Sequence, residues 1–234
     1  GILNMDVKLP EGFIKKEKYL ISLLDEIPMA KIESGLFLMG NESNCSYIDE
    51  KPIHEVYLES FFIDKHKVTV ECYQKFLIAM ESNNGHNNKW CHPDEPVNKS
   101  HIPDGWQKQL INPKSYIYGV DWYDAWAYSM WANKVLPTEA QWEKSASIEY
   151  KSAEGSYFLG MLENGWDWCL DWYNADYYKI NPRCEPCCLK KGQFKVAKGS
   201  IHNITLPLSR KSFRNKYHPE HRNEYLGIRC VKKV

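Results

Sequence analysis

The spacing of apolar and polar positions changes character several times along this chain. In residues 13–25, Phe-Ile-Lys-Lys-Glu-Lys-Tyr-Leu-Ile-Ser-Leu-Leu-Asp, it has a helical period and predicts a helix leading into the main domain. From Met29 onward short alternating stretches take over. Residues 31–40 read as a hairpin turning at Ser34-Gly35, and residues 54–64 alternate at period two as one strand. Apolar residues at 70, 73, 76, 77 and 80 form a single helix face. Residues 81–118 hold Asn83-Asn84-Gly85 and four prolines, which makes a long loop region. Trp90, Trp106, Tyr116 and Tyr118 stud that loop. A second helix is predicted from Trp122 to Ala132 with Asp121 as N-cap. A third starts at Pro137, with Thr138 capping residues 139–147. Turns and short strands follow, ending in residues 225–234. Two or three short helices among many short strands define an α+β chain, read as a helical lead-in over 1–28 and one domain over 29–234.

Composition narrows this picture. The chain has 234 residues, 43% of them apolar and 26% charged, which excludes disordered, collagenous and coiled-coil classes. Nine Trp, fifteen Tyr and eight Phe call for a broad, loop-rich core with many hydrogen-bond partners. No apolar run reaches the roughly 20 residues of a membrane-spanning helix. The first 30 residues carry no signal-peptide pattern. Gly1-Ile2 stands where an initiator Met would, so the chain is expected to be a piece of a longer protein. Eight scattered cysteines, including the adjacent Cys187-Cys188, point to reduced thiols and a cytoplasmic protein, unless delivery or secretion occurs as part of a larger one. Cys184-Glu185-Pro186-Cys187 has two readings, a proline turn with incidental thiols or half of a zinc site.

Charge is balanced overall, at thirty basic and thirty acidic residues, but residues 189–234 carry +10 and the preceding residues −10. A basic end can meet nucleic acid, yet no recognition helix or stacking motif accompanies it. The favoured reading is a tail lying against an acidic body, with no nucleic-acid partner and no membrane insertion.

Several motifs occur in order. Met39-Gly40, Asp49-Glu50-Lys51-Pro52-Ile53-His54 and Val68-Thr69-Val70-Glu71 open the series. Cys91-His92-Pro93-Asp94-Glu95-Pro96, His101-Ile102-Pro103 and Gly119-Val120-Asp121-Trp122-Tyr123-Asp124-Ala125 continue it. Leu136-Pro137-Thr138-Glu139-Ala140-Gln141-Trp142-Glu143 is the most specific. Asn164-Gly165-Trp166-Asp167-Trp168, Lys198-Gly199-Ser200 and Gly227-Ile228-Arg229-Cys230 complete the series. Together they resemble the formylglycine-generating enzyme (sulfatase-modifying factor) family across roughly residues 29–232. The resemblance implies an irregular α+β fold related to the C-type lectin domain.

It also sets expectations for chemistry. The family's copper oxidases carry a cysteine pair between the glycine-serine motif and an Arg that corresponds to Arg214. Two thiolates suit Cu(I). Ser200 to Arg214 contains no cysteine, so copper is not expected. The family's iron enzymes use a separate helical domain with a His cluster, which this chain lacks, and His218 and His221 read as exposed or structural. One of two family calcium sites is expected to be lost. The other maps to Asn164 and Asp167, as calcium ligands or as a hydrogen-bonded turn. Trp122, Trp126 and Trp131 read as core, and Glu143 as paired inside. The expected ligand-binding surface is the groove at Ser200, His202, Asn203 and Arg214, lined also by Ile201, Ile204, Leu206 and Leu208.

Three functions follow as expectations. The first is a non-catalytic binding domain, a pseudoenzyme, in a larger bacterial signalling protein, appended to a serine/threonine kinase that supplies any activity. The second is a diversified C-type-lectin-like ligand-binding protein. The third is a metal-dependent oxidoreductase acting on a thiol substrate, with Cys184, Cys187 and His202 as ligands. The ligand or protein partner itself is left unnamed.

Overall fold

Phe13–Lys16 (β1) and Tyr19–Ser22 (β2) are strands, not the expected helix. Glu17 turns the chain between them at φ 54°. The apolar spacing of 13–25 suits either state, and packing decides: Phe13, Leu20 and Met29 bury one another in a small cluster. The computed structural model describes residues 8–83, 88–149, 160–200 and 210–234.

Pro28–Ile32 (β3) and Gly35–Met39 (β4) do not form the expected hairpin. The single strand expected over 54–64 is likewise two, His54–Leu58 (β5) and Phe61–Asp64 (β6). Buried positions run Val56, Leu58, then Phe61, Ile63, so the alternation slips by one residue at Glu59-Ser60. That slip lets the chain turn a corner between sheets. β4 pairs with β5 from Gly35↔Leu58 to Met39↔His54. β6 joins an antiparallel sheet of order β1-β2-β3-β6-β11, closed by Val231–Lys232 (β11).

The three longer helices form where periodicity and caps place them. Val70–Ser82 (α1) starts at Thr69, whose hydroxyl accepts the Cys72 N–H. Trp106–Gln109 (α2) is a single turn. Trp122–Trp131 (α3) opens with a reciprocal capping box between Asp121 and Asp124. Glu139–Glu149 (α4) follows Thr138, which exchanges hydrogen bonds with Gln141.

Gly165–Trp172 (β7) lies at the centre, in a sheet of order β10-β7-β8-β9 with Lys195–Ser200 (β8), Asn215–Tyr217 (β9) and Leu226–Gly227 (β10). Trp166 and Trp168 of β7 join a cluster with α1 and α3, whereas Cys169 joins a second one with α4, β5 and β6. A strand covered on both faces reads as a near-continuous apolar run, here Trp166, Trp168, Cys169 and Leu170 interrupted by the buried Asp167. Two of the central indoles find carbonyl partners: Trp122 Nε1 donates to Cys169 O at 2.9 Å and Trp168 Nε1 to Val120 O at 3.0 Å. Trp122 and Trp131 are buried in the core, Trp126 packs partly buried against it, and all eight cysteines are free thiols. Among the described residues no helix is long and apolar enough to cross a membrane.

Candidate functional site

Two glycines let three strand ends meet. Gly165 pairs with Ser200, and Trp166 with both Gly199 and Leu226. A Cβ on Gly165 (φ 91°) would sit 2.3 Å from Tyr225 O, and one on Gly199 (φ 149°) 2.1 Å from Gly165 O, so no other residue fits either place. Beside this junction an open pocket of about 660 Å³ is walled by Tyr116, Tyr118 and Tyr225, with Lys114 and Glu224 at the sides and Lys67, Asn164 and Gly165 also lining it.

Lys67 sets the inner wall. Its ammonium donates to Asn164 O at 2.9 Å and Trp166 O at 3.3 Å, and pairs with Asp167 Oδ1 at 3.3 Å. Burial pushes the Lys67 ammonium below its ordinary pKa, against the pull of Asp167. Gly227 leaves the room: a Cβ there would lie 2.9 Å from Lys67 Cε. Asp167 Oδ2 accepts Trp142 Nε1 at 2.9 Å and Arg229 Nε at 3.3 Å. The carboxylate offered to calcium by the sequence therefore faces two cations of its own chain. A divalent ion there would add positive charge to Lys67 and Arg229. Asn164 turns at φ 63° and gives its carbonyl to Lys67.

Ser200 is buried at the end of β8. His202 and Asn203, like Ile201, Ile204, Leu206 and Leu208, lie outside the described residues. Arg214 follows that segment within the core. It is buried, donating from Nε to Glu139 Oε1 at 2.7 Å and from Nη1 to Asp49 O at 2.8 Å, with its guanidinium over the Tyr178 ring. Burial works against the charge of Glu139, yet Arg214 and Lys198 hold its pKa below the usual carboxylate range. Nearby, Glu50 accepts Arg210 Nε at 2.7 Å and Ser212 Oγ at 2.7 Å. Glu143 accepts Gly40 N–H at 2.8 Å and Tyr178 O–H at 3.1 Å, paired inside as expected. Sequence reading missed Lys67 because an isolated lysine ordinarily signals a solvated face. Tyr116 and Tyr118 stood out only as loop aromatics.

A family profile described as the sulfatase-modifying factor enzyme 1-like domain matches residues 25–160 and 157–234. The serine/threonine-protein kinase Pkn1 of Chlamydia caviae is 29% identical over 88% of this chain, which spans 38% of that relative's length. The formylglycine-generating enzyme of Streptomyces coelicolor is 23% identical, covering 86% of this chain and 88% of the enzyme. The solved structure of PvdO from Pseudomonas aeruginosa aligns with a TM-score of 0.66 at 17% identity, across 97% of this chain and all of that one. At that identity the likeness is one of fold, the irregular α+β, C-type-lectin-like architecture.

Proposed function

This chain belongs to the sulfatase-modifying factor family, and from that premise we propose that it is a non-catalytic binding domain of a larger signalling protein, appended to a serine/threonine kinase. The observation that carries the reading is the cysteine-free stretch from Ser200 to Arg214. Without a thiol pair there, Cu(I) has no soft ligand set beside a substrate thiol. No pair of cysteines stands in that stretch to replace it, and Cys169 and Cys230 are buried in the core.

The binding surface in this reading is the tyrosine-walled pocket beside Ser200. Tyrosine presents a rigid face for stacking and a hydroxyl for hydrogen bonding at low entropic cost. Lys114 and Glu224 add charges of both signs, so a polar peptide or a sugar is the class of ligand that fits. Lys67 has its three donors committed to Asn164, Trp166 and Asp167, and so holds the wall in place. The kinase attachment is supported by the Chlamydia relative, most of whose length lies outside the match.

Two assays test the reading. Incubation with Cu(I), dioxygen and a cysteine-containing sulfatase peptide is expected to give no aldehyde above the copper-only blank, and catalytic aldehyde formation would overturn the pseudoenzyme. On glycan and peptide arrays, Tyr116→Ala and Tyr225→Ala are expected to lower retention of any bound probe tenfold with unchanged circular dichroism. Retention indifferent to both variants would move the site elsewhere.

A further inference from the structure

The loop between α1 and α3 brings together three side chains of different ligand chemistry. Cys91, Glu95 and His101 each offer one ligand atom, and these atoms lie within 4.8 Å of one another. His101 Nε2 is 3.0 Å from Glu95 Oε1 and 3.7 Å from Cys91 Sγ. On the far side of the ring, His101 Nδ1 is 2.9 Å from Asp124 Oδ1. Asp124 is itself fixed, accepting the Asp121 N–H at 2.8 Å and pairing with Lys99 at 2.8 Å and Arg222 at 2.9 Å. The imidazole is therefore held with Nε2 facing the thiol and the Glu95 carboxylate. The second oxygen, Glu95 Oε2, is buried and has no hydrogen-bond partner among the described residues, although the side chain is only 2% exposed.

We propose that Cys91, Glu95 and His101 form a zinc site, with water as fourth ligand. Bonds of about 2.0 Å to nitrogen and oxygen and about 2.3 Å to sulfur set tetrahedral edges of roughly 3.3 Å for N···O and 3.5 Å for S···N. Both observed separations fall within a few tenths of an ångström of these edges. Asp124 behind the imidazole completes the carboxylate–histidine–metal relay that orients metal-ligating histidines. One thiolate, one imidazole and one carboxylate suit borderline-soft Zn²⁺, whereas calcium and magnesium prefer all-oxygen shells. On binding, the thiol proton and the proton on Nε2 leave to solvent and three protein–metal bonds form. Among the described residues this is the one group of three such side chains within reach of a single ion. Among the described residues, Cys184 and Cys187, the pair singled out by sequence, gather no third ligand. Zinc would tie the 91–101 loop to α3 and fix one wall of a cavity of about 290 Å³ between that loop and α1, where Leu77, Met80, Ser100, His101 and Trp106 meet.

The test is titration of the chelator-treated, dialysed protein with Zn²⁺ and, separately, with Co²⁺. One equivalent of metal is expected, with a near-ultraviolet thiolate-to-cobalt band and visible bands of tetrahedral intensity. Cys91→Ser is expected to abolish the thiolate band, and Glu95→Gln to weaken zinc at least tenfold. A Cys184→Ser/Cys187→Ser double variant should leave both readouts unchanged. Because His101 is locked in buried ion pairs, the half-buried Cys91 carries the test, with circular dichroism checking its fold. Binding below one equivalent would overturn the proposal. So would a thiolate band that survives Cys91→Ser, or one lost in the Cys184/Cys187 variant.

Discussion

Asp171 is buried where α4 begins, with Oδ2 accepting the Glu139 N–H at 2.8 Å and Oδ1 the Cys188 N–H at 2.9 Å. Burial, then the neighbouring charge of Glu139, raise its pKa to about 6 despite those two donors. In the unfolded chain an Asp titrates near 3.9, so between about pH 4 and 6 the folded state holds the proton more tightly. The stability linked to Asp171 is therefore full below pH ~3.9 and lost as pH rises through 6, up to about 3 kcal/mol over two pH units. Urea melts between pH 4 and 7 are expected to show a decline that is shallower in Asp171→Asn. Asp64 and Asp121 shift the same way, so the decline persists in part. Equal slopes in variant and parent would refute the assignment. At this scale the sequence was readable for some residues and opaque for others. Glu143 sits in a helix start whose neighbours already announce burial. Lys67, Lys134 and Lys198 carry no local sign that they are buried, because their carboxylate partners lie far away in sequence.

Helices were legible because caps and a 3.6-residue period are local properties. Thr69 illustrates the size of such a term. Its hydroxyl accepts the Cys72 N–H at 3.3 Å, one of the donors a helix start leaves unpaired. Thr69→Ala is expected to cost about 1 kcal/mol, or about 2–4 °C in Tm for a domain of this size. Thr69→Ser should recover most of that loss, and scanning calorimetry on the three proteins checks it. Strands were less legible. Residues 13–25 satisfy helical spacing, but the β1–β2 hairpin buries Phe13 and Leu20 and pairs β2 with β3, which an isolated helix could not do. The slip of alternation between Leu58 and Phe61 is present in the sequence, yet only the pairing of β5 with β4 and of β6 with β3 gives it meaning.

Across the whole molecule, ion pairs tie distant segments together. Lys134 Nζ is buried between Asp25 at 2.9 Å and Asp64 at 2.7 Å, joining the β2–β3 connection, the end of β6 and the segment after α3. Lys134→Met would leave two buried carboxylates without their cation. It is expected to cost about 3–5 kcal/mol, read as a matching loss in urea-melt stability. A loss under about 1 kcal/mol would mean that the pair contributes little beyond packing. The basic end follows the same logic. Arg210 meets Glu50, Arg214 meets Glu139, Arg222 meets Asp121 and Asp124, and Arg229 meets Asp167, so the +10 segment lies against the acidic body.

The sequence alone determined the α+β class, the helix starts, the family motifs, and the missing cysteine pair between Ser200 and Arg214. These depend on local spacing, local capping and residue identity. Tertiary structure decided which strands pair, that Arg214 and Asp167 are spent on internal ion pairs, and that a tyrosine-walled pocket forms beside Ser200. It also decided that Cys91, Glu95 and His101 share one site. Each of these outcomes depends on burial against residues distant in sequence. Buried polar groups must find their partners across such distances, and that matching is settled only when the sheets close on one another.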